Sequence, residues 1–379
     1  MDFALSSDQE MIRDTAEAFL AEASSSAAVR AAMQTETGFD ADLWARIGQE
    51  LGWCATTIPD EYDGLGLSNV ELVLLMEQMG RRQLCAPFFS TVCLAAPVLL
   101  EVADVAARKR YLPHIAAGEL TATVALAAHG IDWQPQGITA AVSVGAEGLV
   151  ISGSFQHVPD GATADLLIVP ARDITGGVAL YAFPSSLSGI TRTPHRNVDT
   201  TRRIAAIKLD QVQLPAEALI ASPLQVAQAM PRAVALATLA LAAEQLGGAQ
   251  QCLDLTVAYT GERVQFGRTI ASFQAIKHRC ATMMVNIEAT RSAIYGAAAV
   301  AANPALVADF LLEAAAAKAL ASDTFFHCAG EAIQLHGGVG FTWEYDPQLY
   351  FKRAQAGAHW LGSADALRER IATFLLGPI

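Results

Sequence analysis

The hydrophobic and polar positions change their period twice along the chain. Over residues 1–118 apolar residues such as Ile12 and Ala16 recur at helical spacing. Over residues 119–223 the apolar runs are short, often alternate with polar residues and are separated by turn residues, which is typical of strands. From residue 224 the helical period returns. The pattern predicts an α+β chain with an N-terminal helical domain (1–118), a middle β-barrel or sandwich (119–223) and a C-terminal four-helix bundle (224–379).

Residues that begin or end helices support this division. Ser6 or Ser7 is placed to cap a first helix, and Gly118 is placed to end the last helix of the first segment. Pro, Asp and Gly residues predict a turn within IPDEYDGLGLS at 58–68. The predicted helices of the bundle cover residues 224–260, 271–300, 304–333 and 347–374.

The composition excludes several classes of protein. The chain has 379 residues, a net charge of −13 and a hydrophobic fraction of 53%. This hydrophobicity excludes intrinsic disorder. An acidic chain without clustered Lys and Arg is not expected to bind nucleic acid, whereas a small anionic ligand needs only a few cations.

No segment predicts a membrane span, a signal peptide or a metal site. The most apolar stretch, Ala233–Ala243, is far shorter than the ~20 residues that cross a bilayer, and Glu244 follows it. The first 14 residues carry early acids and lack the basic and apolar regions of a signal peptide. Six scattered Cys without C-x-x-C spacing predict reduced thiols and a cytoplasmic location. His278 and Cys280 lie close together, but no second pair of ligands is nearby.

The segment RVQFGR at 263–268 differs from ordinary helix. Arg263 and Arg268 lie on either side of a glycine that breaks the helix, and guanidinium groups match phosphate oxygens in bidentate geometry. Phe266 is placed to pack against a flat ring. The alternative is a helix C-terminus, where the helix dipole favours cations.

The segment QLHGGVG at 334–340 also differs. Gly337 and Gly338 allow backbone N–H groups to approach a ligand closely, and Gln334 offers a side-chain amide. The alternative is a glycine C-cap and turn between two helices of the bundle.

Together, RVQFGRTIASFQAIKH and QLHGGVGFTWEYDPQLYFKRA resemble the FAD-binding C-terminal bundle of the acyl-CoA dehydrogenases. IPDEYDGLGLS resembles a loop of that family's N-terminal domain, and the order helices, β-barrel, four helices agrees over the whole chain. The chain is identified as a member of this superfamily. The resemblance implies the acyl-CoA dehydrogenase fold, FAD as cofactor, an acyl-CoA substrate and an electron-accepting flavoprotein as partner.

The resemblance also assigns cofactor contacts. It implies that Arg263 contacts the FAD pyrophosphate with Gln265 and Phe266 beside it, and that Gln274 lies at the adenosine end. In the family these groups reach across a dimer interface to the flavin of the neighbouring subunit. The residues that match the loop around the ADP moiety are Gln334, Gly337 and Gly338.

The glutamate that serves as the family's catalytic base is missing. In the family, a Glu removes the α-proton while the β-hydrogen leaves as hydride to the flavin. Here the triplet Lys352–Ala354 is followed by Trp-Leu361-Gly, so Leu361 occupies the usual position of the base. Where relatives place the Glu on the first bundle helix, this chain has Ala237. Glu244, seven residues and ~10 Å further along that helix face, is the nearest candidate base; the alternative is a buried or interfacial Glu paired with a cation.

The flavin-ring side departs from the family as well. The family carries a Thr-Glu-Pro segment near the flavin pyrimidine and a strand with Trp behind the ring. The aligned segments here, Val124–Gly130 and Val150–Phe155, have neither the acid nor the Trp. This pattern resembles the non-catalytic chains of the heterotetrameric acyl-CoA dehydrogenases that actinobacteria use on steroid side chains.

Three functions follow as hypotheses. The chain completes the FAD site of an α2β2 heterotetramer whose homologous partner carries the base. Alternatively, it is a self-sufficient homo-oligomer, such as a tetramer, that uses Glu244 or another base. The third hypothesis is a flavin-free scaffold or acyl-CoA binding protein.

Overall fold

Helices, strands and again helices follow each other along the chain, which confirms the predicted α+β fold class. The computed structural model describes residues 5–146 and 148–377. The first helices are α1 (Ser7–Ala23), α2 (Ser26–Gln34), α3 (Ala41–Ala45), α4 (Asn69–Arg81), α5 (Ala96–Val102) and α6 (Val105–Ala116). The strands that follow are β1 (Ala122–Val124), β2 (Ala141–Gly145), β3 (Gly148–Pro159), β4 (Leu166–Arg172), β5 (Val178–Pro184), β6 (Ile190–Pro194), β7 (Ile204–Gln213) and β8 (Leu219–Ala221). The last elements are α7 (Pro223–Glu262), β9 (Val264–Gln265), β10 (Arg268–Thr269), α8 (Gln274–Ala301), α9 (Val307–His336), α10 (Pro347–Gly357) and α11 (Ala364–Leu376).

The predicted ends of two helices are confirmed. The Ser6 hydroxyl accepts a hydrogen bond from the backbone N–H of Gln9 (3.2 Å), and the Gln9 side chain accepts one from the backbone N–H of Ser6 (3.0 Å). This reciprocal pair gives partners to two N–H groups at the start of α1. Helix α6 ends at Ala116, and Gly118 follows with a φ of 71°, a conformation that favours glycine.

The prediction of one continuous helix over residues 347–374 is wrong. The structure divides this segment into α10 and α11. Leu361 and Gly362 have φ values of 56° and 104°, which a right-handed helix cannot contain. A new helix begins after them because the Ser363 hydroxyl accepts a hydrogen bond from the backbone N–H of Ala366 (3.3 Å).

The strands form one eight-stranded sheet in the order β6-β7-β3-β2-β4-β5-β8, with β1 parallel to β4. Strands β3 and β7 make the long antiparallel pair, which contains irregularities near Gly153 and Val158. Alternate residues of the strands build a common apolar core that includes Phe155, Tyr181 and Phe183. In β7 this places buried residues next to more exposed ones and explains the alternating pattern, whereas almost every residue of β4 and β5 is buried, which explains their continuous apolar runs.

The chain forms two compact units, and each is made of segments that are distant in sequence. The bundle unit contains Met1–Ala31, Asn69–Leu84 and Thr238–Ile379. The sheet unit contains Ala32–Ser68 and Cys85–Ala237. The division into three domains with boundaries at residues 118 and 223 describes the order of segments along the sequence, and it stays a prediction.

In the bundle unit, α4 and α7 approach each other at the backbone. A Cβ atom on Gly247 would collide with the carbonyl oxygen of Glu77, and one on Gly80 with that of Glu244. The side chain of Glu77 is buried and accepts hydrogen bonds from Arg291 Nη2 (3.0 Å) and from the Tyr295 hydroxyl (3.0 Å). The close approach and these bonds fix α4 against α7 and α8.

In the sheet unit, Asp160 gives a prediction about pH and stability. Its carboxylate accepts a hydrogen bond from the Ser90 hydroxyl (2.7 Å), and burial raises its pKa from 3.8 to about 6. Because the folded pKa is the higher one, the stabilising contribution is complete below pH 3.8 and is lost as the pH rises through 6. Asparagine does not ionise, so Asp160→Asn avoids this loss. We expect its advantage in unfolding free energy over the native chain to be larger at about pH 8 than at about pH 4.5, by on the order of 2 kcal/mol.

Urea unfolding at both pH values measures this gain. Asp210→Asn is the matched control, since the Asp210 side chain is 70% exposed. A gain that is equal at the two pH values, or equal for both variants, contradicts the assignment to the Asp160 carboxyl.

Helix α7 contains the apolar stretch that the sequence places at Ala233–Ala243. Its length and composition would allow this helix to cross a membrane. However, 72% of its most apolar 18-residue stretch is buried inside the protein. Within residues 5–146 and 148–377, α7 is the one helix with the length and apolar composition of a membrane span, and it is buried as a core helix is.

Candidate cofactor site

The RVQFGR segment forms a tight β-hairpin at the end of α7. Strands β9 and β10 pair in antiparallel register, with Gln265 opposite Arg268. The two loop residues, Phe266 and Gly267, have φ values of 53° and 76°, the sign that a type I′ turn requires. The backbone N–H of Ile270 donates to the carbonyl oxygen of Arg263 (2.8 Å) and closes the hairpin at its base.

The side chains of residues 263–268 are exposed, although those of Phe266 and Arg268 contact the ring of Phe273. Phe266 is 91% exposed, and Arg263 and Gln265 are also exposed. The Arg268 guanidinium lies 4.0 Å above the ring of Phe273, so this cation has an aromatic partner. The Arg263 guanidinium has neither a hydrogen bond nor an ion pair within residues 5–146 and 148–377, and it is available to bind an anion.

The glycine segment follows the last residue of α9. Gly337 has φ 65° and ψ −145°, a conformation essentially restricted to glycine, and its N–H donates to the carbonyl oxygen of Gln334. A Cβ atom on Gly337 or Gly338 would meet nothing within 4 Å. Gln334, Gly337 and Gly338 are all exposed, so the backbone here is open to a ligand.

Contacts between helices bring these segments to one end of the bundle unit. The rings of Tyr259, four residues before Arg263, and His336, directly before Gly337, stack at a centroid distance of 4.4 Å. Near the start of α8, Arg279 Nη2 donates to Glu331 of α9 (2.8 Å). Gln274, the first residue of α8, precedes Arg279 by five residues and therefore lies at the same end of the bundle, where it is exposed.

This end of the bundle fits a diphosphate. Arg263 supplies an exposed guanidinium, the glycine segment supplies accessible backbone, and Gln274 begins a helix of 28 residues, whose N-terminus carries partial positive charge. An anion there meets a cation, N–H donors and a helix dipole of favourable sign.

The two positions at which the family resemblance implies a catalytic glutamate hold buried, apolar residues. Leu361 is 1% exposed in the turn between α10 and α11, and Ala237 is fully buried in α7. The segments expected beside the flavin ring are also mostly apolar: Ala125–Ala128 are buried after β1, and Phe155 is fully buried in β3.

Glu244 is held by an arginine. Arg353 Nη1 donates to Glu244 Oε1 (3.0 Å), and both side chains are more than nine-tenths buried. Arg353 Nη2 also donates to the backbone carbonyl of Leu84 (3.3 Å). A general base has to gain a proton during catalysis, whereas this ion pair favours the ionised carboxylate.

A buried lysine fixes the turn that contains Leu361. Lys318 of α9 is fully buried, and its Nζ donates to the carbonyl oxygens of Ala358 (2.8 Å) and Gly362 (2.8 Å). These carbonyls lie on either side of Leu361. The ammonium group therefore holds a backbone conformation that is unfavourable for leucine.

Sequence reasoning did not identify Tyr259, Lys318, His336 or Arg353. His336 is part of the glycine segment, and Tyr259 precedes Arg263 by one helical turn, so both carried a positional signal. Lys318 carried a compositional signal, as the single cation of an alanine-rich run. No group of His, Cys, Asp and Glu suited to a metal ion occurs in the part of the chain that the structure describes.

Known proteins match the chain over nearly its whole length. Residues 6–119 match the acyl-CoA dehydrogenase N-terminal domain family, and residues 227–376 match the acyl-CoA dehydrogenase C-terminal domain family. The acyl-CoA dehydrogenase IpdE2 of Mycolicibacterium smegmatis is 33% identical over 359 residues, which cover 94% of this chain and 96% of that protein.

Two solved structures share the fold. The Tcur3481-Tcur3483 steroid acyl-CoA dehydrogenase, in a variant form, is 26% identical with a TM-score of 0.85 over 97% of both chains. The ChsE4-ChsE5 complex from Mycobacterium tuberculosis is 23% identical with a TM-score of 0.88 over 100% of both chains. The fold and the family expected from the hairpin and glycine segments are thereby confirmed, and the chain belongs to the acyl-CoA dehydrogenase family.

Proposed function

We propose that this chain is the subunit of an FAD-dependent acyl-CoA dehydrogenase that completes a flavin site but contributes no catalytic glutamate. The reaction is the α,β-dehydrogenation of an acyl-CoA thioester in the cytoplasm. The assembly is an α2β2 heterotetramer with a homologous chain, which supplies the base. An electron-accepting flavoprotein takes the electrons from the reduced flavin.

The proposal depends chiefly on the contrast between the two sides of the site. On the diphosphate side, Arg263 is exposed without a partner in the described part of the chain, and Gly337 and Gly338 leave the backbone open. On the proton-transfer side, Leu361 and Ala237 are buried apolar residues that cannot accept a proton. A chain with this contrast is suited to hold the cofactor and depends on another chain for the base.

FAD, when bound, accepts the hydride that leaves the β-carbon. In this proposal the Arg263 guanidinium balances the charge of the pyrophosphate, because its planar fork matches phosphate oxygens. Gln265 and Phe266 lie beside it on the hairpin, and the Gln334 side chain and the exposed backbone of Gly337 and Gly338 contact the ADP moiety. Gln274 interacts with the adenosine end.

Two relatives support the assembly and the substrate class. ChsE4 and ChsE5 form a complex with this fold. The Tcur3481-Tcur3483 protein is a steroid acyl-CoA dehydrogenase. We extend both properties to this chain and propose a polycyclic, steroid-derived acyl group as the substrate.

The homo-oligomer that uses Glu244 is less well supported. Its carboxylate is buried beside Arg353 and has the surroundings of a structural ion pair. The flavin-free scaffold is less well supported, because it gives no role to the exposed Arg263 and the open backbone of the glycine segment. An acyl-CoA binding protein is separated from the first proposal by the flavin content of the complex.

The flavin content of the assembly tests the proposal. We expect the chain to form a yellow, FAD-containing complex when it is co-expressed with a homologous acyl-CoA dehydrogenase chain from the same genome. When the chain is purified alone, we expect it to contain little or no FAD. In the complex, Arg263→Ala removes a charge-assisted bond and should weaken FAD binding by about tenfold to a hundredfold. Isothermal titration of the flavin-stripped complex measures this affinity.

Arg370→Ala is the matched control, because Arg370 is an exposed arginine of the same bundle unit. Equal affinities for the two variants would refute the assignment of Arg263. A homo-oligomer with full FAD and normal turnover would refute the heterotetramer, and a colourless co-expressed complex that still binds acyl-CoA would favour the flavin-free alternative.

A further inference from the structure

Three aromatic rings pack together where the two cofactor-binding segments begin. Tyr259 and His336 stack at a centroid distance of 4.4 Å with an interplanar angle of 20°. Tyr345 meets both rings edge-on, with centroid distances of 6.1 Å to Tyr259 and 6.2 Å to His336. These separations are those of favourable aromatic pairs.

Each member of the stacked pair is joined to one cofactor segment by the backbone. The carbonyl oxygen of Tyr259 accepts the N–H of Arg263 (2.9 Å) in the last turn of α7. His336 is the last residue of α9, directly before Gly337. A Cβ atom on Gly340 would lie 2.9 Å from the Cβ of His336, so the loop folds back closely over this residue.

The imidazole of His336 is fixed in one orientation. Its Nδ1 lies 2.7 Å from the carbonyl oxygen of Ala332, and because a carbonyl only accepts, Nδ1 carries the proton. His336 is 5% exposed, and burial lowers the pKa of its imidazole. At neutral pH the ring is therefore uncharged and stacks on Tyr259 as a flat, oriented plate.

The third ring is held from another helix. Arg30 Nη2 of α2 donates to the carbonyl oxygen of Tyr345 (3.2 Å) and to Asp346 Oδ1 (2.7 Å). The Ser26 hydroxyl donates to the same carboxylate oxygen (2.7 Å). The loop after the glycine segment is thus fixed at Tyr345, and the edge of this ring limits the movement of the stacked pair.

We propose that Tyr259, His336 and Tyr345 are positioning residues that hold the Arg263 hairpin and the Gly337–Gly338 loop at the spacing a single dinucleotide needs. The inference rests on the proposed function, since it concerns the same FAD site. The three rings themselves are not assigned any contact with FAD. They act by pre-ordering two segments that would otherwise have to be ordered by the ligand, at a cost in affinity.

Three variants of the flavin-loaded complex test this role. His336→Ala removes the central ring, and His336→Phe keeps a flat ring but loses the hydrogen bond to Ala332. We expect His336→Ala to weaken FAD affinity by about threefold to tenfold, the equivalent of an aromatic pair, and His336→Phe to restore most of it. Tyr345→Leu, at a residue 39% exposed, removes only the edge contact and keeps the test valid if His336→Ala fails to fold.

His327→Ala is the matched control, because His327 is an exposed histidine on the same helix. FAD affinity is measured by titration of the flavin-stripped complex, and thermal unfolding of the same flavin-free sample reports stability. A positioning role lowers the affinity beyond the control and is rescued by phenylalanine. The positioning role would be overturned if His336→Ala and Tyr345→Leu both lowered the thermal stability of the flavin-free complex and left its FAD affinity unchanged.

The Arg263→Ala variant separates the positioning role of the rings from the proposed function of the site. If Arg263→Ala weakens FAD binding and the ring variants do not, the positioning role is wrong and the proposed function stands. If neither weakens it, the assignment of the flavin site itself fails.

Discussion

Replacement of Arg353 by methionine is expected to lower the free energy of unfolding by about 3–5 kcal/mol. The variant leaves the Glu244 carboxylate buried without its arginine, and it removes the donor that Arg353 Nη2 provides to the carbonyl oxygen of Leu84. The loss of solvation of a buried carboxylate is not recovered when its counter-ion is absent. The expected effect is therefore much larger than that of a surface ion pair.

Chemical denaturation measures this change, with Arg368→Met as the control. Arg368 pairs with Asp323, but both side chains are about half exposed, so this control should cost no more than about 1 kcal/mol. The double variant Glu244→Gln with Arg353→Met should be more stable than Arg353→Met alone, because the buried charge is gone. Equal losses for Arg353→Met and Arg368→Met would contradict a structural role for the pair.

The same pair separates the two roles of Glu244. A catalytic base predicts that Glu244→Gln abolishes turnover while FAD stays bound and stability is unchanged. A structural ion pair predicts that Glu244→Gln lowers stability, and that the folded, flavin-loaded complex keeps its turnover. Turnover per bound flavin, measured beside the unfolding free energy, separates these results.

Lys318→Met is the second substitution with a large expected effect. Methionine fills a similar volume but leaves the carbonyl oxygens of Ala358 and Gly362 without their donor. Each buried polar group that loses its partner costs about 1–3 kcal/mol, so we expect a loss of about 2–4 kcal/mol in unfolding free energy. The turn around Leu361 should also become more accessible, because its φ of 56° is no longer held by Lys318.

Denaturation and amide hydrogen exchange of residues 358–363 check these two effects. Lys109→Met is the control, since Lys109 is exposed on helix α6. Unchanged exchange of the turn in Lys318→Met would show that α10 and α11 fix it without the lysine.

The periodic parts of the chain could be predicted from the sequence because they depend on local rules. Apolar spacing located the first three helices of the bundle to within a few residues, and the Ser6 cap follows from a short-range hydrogen bond. The hairpin and glycine segments were visible for a similar reason, since special turns demand special residues.

The remainder depends on partners that are distant in sequence. Glu244 and Arg353 are separated by 109 positions, and Lys318 reaches Gly362 over 44, so no local pattern indicates either contact. The turn at Leu361 was missed because leucine usually favours helix, and a tertiary contact overrides that preference. The ring pair of Tyr259 and His336 likewise exists only when α7 and α9 are assembled.

The discontinuous bundle unit has a consequence for how the chain is made. Residues 69–84 leave the ribosome long before Thr238–Ile379, against which they belong. At about 5–20 residues per second, the intervening ~150 residues take roughly 8–30 s to synthesise. During this delay the ten consecutive residues Glu71–Gly80 of α4, all buried in the finished protein, can pack against α1 but lack their neighbours in α7 and α8. The nascent chain thus exposes for many seconds a face of α4 that the finished protein buries.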